Sequence, residues 1–99
     1  MGISFKELKK NRLTPAEKWV LERIEGVKPE TYSSGNVEWF KDGTWLFKED
    51  FKRGYLYVNY NIALDLNEKF GLSYNEVHQL LTNILYDYTD NGKLEIYFI

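Results

Sequence analysis

Val37-Glu38-Trp39-Phe40-Lys41-Asp42-Gly43-Thr44-Trp45-Leu46-Phe47-Lys48 is the stretch whose reading decides the fold. Two runs of strand-favouring residues flank Asp42-Gly43, a dipeptide suited to the positive φ values of a tight hairpin. Two registers compete. A two-residue loop sets Phe40 against Trp45 and Trp39 against Leu46, which leaves large apolar groups on both faces. A three-residue loop, with Gly43 in the left-handed position of a bulge, sets Trp39 against Trp45 and Val37 against Phe47. Four large apolar side chains then share one face. A one-residue slip moves every side chain across the sheet, so amphipathicity selects the second register. Phe40 and Leu46 are then expected on the opposite face.

Past Glu49 to Arg53, Gly54 opens a third run, Tyr55-Leu56-Tyr57-Val58-Asn59-Tyr60. Leu56, Val58 and Tyr60 alternate with Tyr55, Tyr57 and Asn59, giving one aliphatic and one tyrosine-rich face. Trp39, Phe40, Trp45, Phe47, Phe51, Tyr55, Tyr57 and Tyr60 make this region dense in aromatics, in a chain with Trp 3, Tyr 8 and Phe 6. A three-stranded antiparallel meander is expected.

On the N-terminal side, Thr14-Pro15-Ala16-Glu17 is a capping box with proline at the first helical position. It predicts a helix from Pro15 to about Glu25, with Ala16, Trp19, Val20 and Ile24 on its apolar stripe and Gly26 ending it. Val27 to Gly35, containing Pro29 and Ser33-Ser34-Gly35, reads as a loop. On the C-terminal side, Asn59 or Asn61 can cap a second helix that runs to Phe70 and stops at Gly71. Ser73-Tyr74-Asn75-Glu76 is a second capping box. Val77, Leu80, Leu81, Ile84, Leu85 and Tyr88 recur at the spacing of one buried helical face. Leu94, Ile96 and Phe98 then alternate with Glu95, Tyr97 and Ile99 as a final strand. Residues 1–13 read as a loosely held lead-in to a single domain spanning 1–99.

The chain has 99 residues, 43% of them hydrophobic, which suffices for one core without staples. The absence of cysteine excludes a disulfide framework, a thiolate zinc site and a cysteine nucleophile. A reducing, cytoplasmic setting is the expectation. No apolar run reaches the roughly 18 residues of a membrane span, and Lys6, Lys9, Lys10 and Arg12 are followed by no apolar leader. The net charge of −2 is uneven: residues 1–53 carry 11 Lys+Arg against 9 Asp+Glu, and residues 54–99 carry 2 against 6.

Catalytic patterns find little support. His78 is the sole histidine, so no paired imidazole or thiolate accompanies it to hold a metal, and no serine–acid spacing points to a nucleophile. No glycine-rich junction between strand and helix can wrap a phosphate. The two helices joined by Phe70-Gly71-Leu72-Ser73 allow a helix-turn-helix reading, with the last helix presenting Ser73, Tyr74, Asn75, His78, Gln79 and Thr82. Yet Phe70 to Gly92 contains neither Lys nor Arg, and Glu76, Asp87 and Asp90 would face a polyanion. Nucleic acid is therefore not the expected partner, nor is any cofactor or metal.

The segment Glu38-Trp39-Phe40-Lys41-Asp42-Gly43-Thr44-Trp45, followed by Phe51 to Tyr60 and by Phe70-Gly71-Leu72-Ser73-Tyr74-Asn75-Glu76, resembles small uncharacterised accessory proteins of tailed bacteriophages, over roughly residues 13–88. That resemblance implies a protein made in the bacterial cytoplasm that binds a host protein and inhibits or redirects it, an anti-phage defence protein included. No functional residue carries over from it. The Lys93 to Ile99 strand departs from the pattern.

Taken together, the residues predict an α+β fold in which an antiparallel three- to four-stranded sheet carries helices on one face, in the order α-β-β-β-α-α-β. The expected function is non-enzymatic protein binding through a patch of Phe40, Leu46, Tyr55 and Tyr57, because aromatic side chains dominate binding hot spots. A homodimer through the unpaired edge of the last strand is a second expected mode of association. A DNA-binding regulator is the alternative.

Overall fold

A computed structural model describes residues 13–99. Its elements are α1 (Pro15–Ile24), β1 (Lys28–Thr31), β2 (Val37–Lys41), β3 (Thr44–Asp50), β4 (Tyr55–Val58), α2 (Tyr60–Phe70), α3 (Tyr74–Ile84), a 3-10 turn (Tyr86–Thr89) and β5 (Glu95–Phe98). The expected lead-in falls almost entirely outside the described residues.

Both capping boxes form as the residues dictate. The Thr14 hydroxyl accepts from the Glu17 N–H while the Glu17 carboxylate accepts from the Thr14 N–H, and Ser73 and Glu76 repeat the exchange. Asn59 caps α2 by accepting from the Asn61 N–H at 3.0 Å, and Gly71 ends it with φ of +67°. Helix α3 stops at Ile84, short of Tyr88, and the chain tightens into the 3-10 turn. That turn carries Tyr88 inward, with its ring 5.0 Å from Trp39 and 5.0 Å from Phe47.

The fold is α+β, with five strands in the order β1-β2-β3-β4-β5. The sheet is mixed rather than purely antiparallel, because β5 runs parallel to β4. Helices α2 and α3 intervene between these two strands, so the chain crosses over one face and returns in its original direction. Strand β1, expected as loop, pairs with β2 through Lys28↔Phe40 to Thr31↔Val37. Its four residues are all exposed, so nothing in their hydropathy announces a strand. The Tyr32 N–H donates to the Asn36 carbonyl at 3.0 Å. Alternation then turns the Pro29 nitrogen, which has no hydrogen to donate, away from β2.

The hairpin register also corrects the expectation. Lys41 pairs with Thr44 and Phe40 with Trp45 around a two-residue loop. Asp42 and Gly43 both take positive φ, +52° and +80°, the geometry whose twist matches the strands. A bulge follows at Leu46, so Trp39 meets Phe47, Glu38 meets Lys48 and Val37 meets Glu49. One extra residue thus resets the alternation. Trp39 and Phe47 share the inner face, while Trp45 goes to the outer one.

Phe47, Leu56, Val58 and Ile96 from the sheet meet Ala16, Val20, Ile62, Ala63, Leu66, Val77, Leu81 and Ile84 from the helices in one buried cluster. All three described helices therefore lie on the inner face.

Candidate docking face

Strand alternation sends Phe40, Trp45, Lys48, Tyr55, Tyr57 and Tyr97 to the face opposite the helices, and no described element covers them. The parallel register aligns Tyr57 with Tyr97 and Tyr55 with Glu95. Three tyrosine rings gather as a result. Tyr55 stacks on Tyr97 with centroids 4.9 Å apart and planes at 21°, Tyr57 lies 5.8 Å from Tyr55, and Tyr57 meets Tyr97 edge-on at 6.4 Å. Tyr55 and Tyr57 are half-buried by this mutual contact, while Tyr97 stays 53% exposed.

Lys48 joins the cluster to the hairpin. It stands opposite Tyr57, its ammonium lies 5.0 Å from the Trp45 ring centroid, and it pairs with Glu38 at 3.5 Å. An aromatic stripe interrupted by one cation therefore crosses the sheet from Tyr97 to Phe40. Beyond Phe40 the face becomes charged, with Lys28 opposite Phe40. Glu30 and Glu38 are directly opposed, and the Tyr32 hydroxyl bridges them at 3.0 and 2.8 Å. Those hydrogen bonds, Glu38 first and Glu30 second, push the Tyr32 phenol well above its usual range.

Of the four residues expected in a patch, Phe40, Tyr55 and Tyr57 share this face and Leu46 does not. The bulge turns Leu46 toward the helices, where it packs against the core. Trp45 and Tyr97 stand on the face instead. The tight Asp42-Gly43 loop was the available signal for Trp45. Tyr97 could be found only from the pairing of β5 with β4, which joins residues far apart in sequence.

A cleft of about 690 Å³ opens on the other side between α1, the hairpin end and α2. Trp19, Arg23, Lys41, Leu46, Asn59 and Asp65 are among its walls. Both cations on its wall are engaged: Arg23 pairs with Asp65 at 3.2 Å and stacks over Trp19 at 4.4 Å, and Lys41 donates to the Glu22 carbonyl at 3.0 Å, while Glu22, Asp42 and Glu68 add carboxylates to the lining.

Among the described residues, no group of three potential metal ligands forms, and no helix is long and apolar enough to cross a membrane. The exposed side of α3 offers Tyr74, Asn75, Glu76, Gln79 and Thr82, without a cation for a phosphate. His78 packs edge-on against Phe98, with centroids 6.3 Å apart.

No protein-family model matches the chain, and neither a curated protein nor a solved structure is found to be similar to it.

Proposed function

We propose that this chain is a non-enzymatic protein-binding module that acts by covering part of its partner, with Phe40, Trp45, Tyr55, Tyr57 and Tyr97 as the contact surface. The observation that carries this reading is the three-tyrosine cluster on a sheet face that no described element covers. Clustered tyrosines supply large contact area at low entropic cost, and each hydroxyl remains able to bond across an interface. Mutual packing holds the rings before a partner arrives, which reduces the ordering that binding would otherwise require. The resemblance to phage accessory proteins supports a host bacterial protein as partner, met in the cytoplasm and inhibited or redirected, an anti-phage defence protein being one such target.

The test is a Tyr55→Ala/Tyr57→Ala double variant beside the unaltered protein, both shown to be folded by circular dichroism. A protein recovered from bacterial lysate by the unaltered chain and lost by the variant is then titrated directly, with affinity expected to fall at least about tenfold. Unchanged affinity refutes the face. Salt-sensitive binding to duplex DNA would favour the DNA-binding alternative.

A further inference from the structure

The two edges of the sheet are built differently. At one edge, β1 presents Lys28, Pro29, Glu30 and Thr31, all exposed, with charge and proline of the kind that discourages strand addition. At the other, β5 presents Glu95, Ile96, Tyr97 and Phe98, running on to Ile99, and no described strand pairs with its outer side.

Hydrogen bonding fixes what this second edge offers. The N–H groups of Glu95 and Ile99 donate inward to the carbonyls of Gly54 and Val58, at 2.8 and 3.1 Å, and the Ile99 carbonyl accepts from the Tyr60 N–H at 2.8 Å. Alternation turns the N–H and C=O of Ile96 and Phe98 outward. Leu94 cannot extend this row, because its N–H already donates to the Thr89 carbonyl at 2.8 Å. The open edge thus consists of two residues flanking Tyr97.

We propose that β5 pairs antiparallel with β5 of a second copy of this chain, about a two-fold axis at Tyr97. In that register Ile96 of each copy exchanges both backbone hydrogen bonds with Phe98 of the other, and the two Tyr97 residues face one another as a non-hydrogen-bonded pair. Centring the pairing on Ile96 instead would oppose Leu94 to Phe98, and the Leu94 N–H is already committed. The side chains agree. Glu95 meets Ile99, so no like charges oppose, and the Tyr55–Tyr97 stack continues into the second copy. The side chains of Ile96, Tyr97, Phe98 and Ile99 carry no charge with which to select a foreign strand. On the helix side, exposed Tyr74 packs edge-on against Phe98 at 5.5 Å and extends the apolar contact. An interface this short belongs at the small end, below about 1,200 Å² in total, so weak micromolar association is expected.

This inference does not rest on the docking-face reading. It is tested with no partner present by sedimentation velocity of the full chain, from about 1 to about 500 µM. Concentration-dependent dimerisation is expected, and a monomer throughout overturns the proposal. Tyr97→Lys and Tyr97→Glu are each expected to weaken the dimer at least about tenfold, since each puts like charges face to face. An equimolar mixture of the two is expected to restore it, because only a residue on the axis meets its own copy. Retained dimers in the single variants, or no recovery on mixing, overturn the register. In the unaltered protein, hydrogen exchange at the Ile96 and Phe98 amides is expected to slow as concentration rises, and exchange independent of concentration overturns the pairing. Tyr55→Ala/Tyr57→Ala is expected still to dimerise through the Ile96 and Phe98 backbone while losing the docking contact, so the two readings fail separately although Tyr97 belongs to both surfaces.

Discussion

Trp39 donates its indole N–H to the carboxylate of Glu49 at 2.6 Å, across the β2–β3 pair on the inner face of the sheet. Glu49 is buried, and burial pushes its carboxyl above the usual 4.5. The Trp39 hydrogen bond opposes the shift, while Asp90 adds to it. A carboxylate on a core face is costly unless bonded, and among the described residues this one has a single side-chain donor, the Trp39 indole.

Stability should therefore depend on Glu49 ionisation. The folded protein holds the proton more tightly than the unfolded chain, so the penalty is absent below the usual carboxylate pKa and grows as pH rises through the raised one. Glu49→Gln removes that penalty and keeps an acceptor for Trp39. Thermal melts are expected to show the variant more stable at pH 7, with the advantage vanishing near pH 4. A constant difference across that range contradicts this account.

Trp39→Phe preserves much of the ring packing against Tyr88 but leaves Glu49 without its donor. Urea unfolding at pH 7 should show a loss of about 1–3 kcal/mol. Combining it with Glu49→Leu should recover part of that loss, because an apolar pair needs no hydrogen bond.

The Asp42-Gly43 turn makes a separate prediction. Gly43 sits at φ +80° with open space around its Cα, so Gly43→Ala meets only backbone strain. A loss of about 1–2 kcal/mol is expected. Asp42→Asn, at φ +52°, should be neutral or slightly stabilising, since asparagine tolerates the left-handed region well.

Leu81 is fully buried where α3 meets the rest of the core. Leu81→Ala should cost about 2–5 kcal/mol by urea unfolding, the range for a large-to-small change in a packed interior. Tyr97→Ala, at an exposed position, should change stability by less than about 0.5 kcal/mol.

The sequence made legible whatever depends on near neighbours. Thr14 with Glu17 and Ser73 with Glu76 lie three residues apart, and both caps formed between the expected partners. The β4 alternation was equally readable, because Leu56 and Val58 have only one apolar place to go. Strand β1 was not readable: Lys28 to Thr31 bury nothing, and backbone pairing with β2 alone makes them a strand. The place of Trp45 was lost to a bulge, since Leu46 can enter the hairpin as an extra residue without changing its composition. Tyr88 was readable as buried but not as leaving the helix. The proximity of Tyr97 to Tyr55 depends on a crossover through two helices, and no local pattern encodes that.

Pro29 has a consequence larger than its four-residue strand. A sheet with two receptive edges can recruit copies without limit, as fibrils do. A sheet sealed at one end has a valence of one. Once its open strand is matched by another copy, both outer margins of the enlarged sheet are the proline-bearing, charged ones, and growth has nowhere to continue.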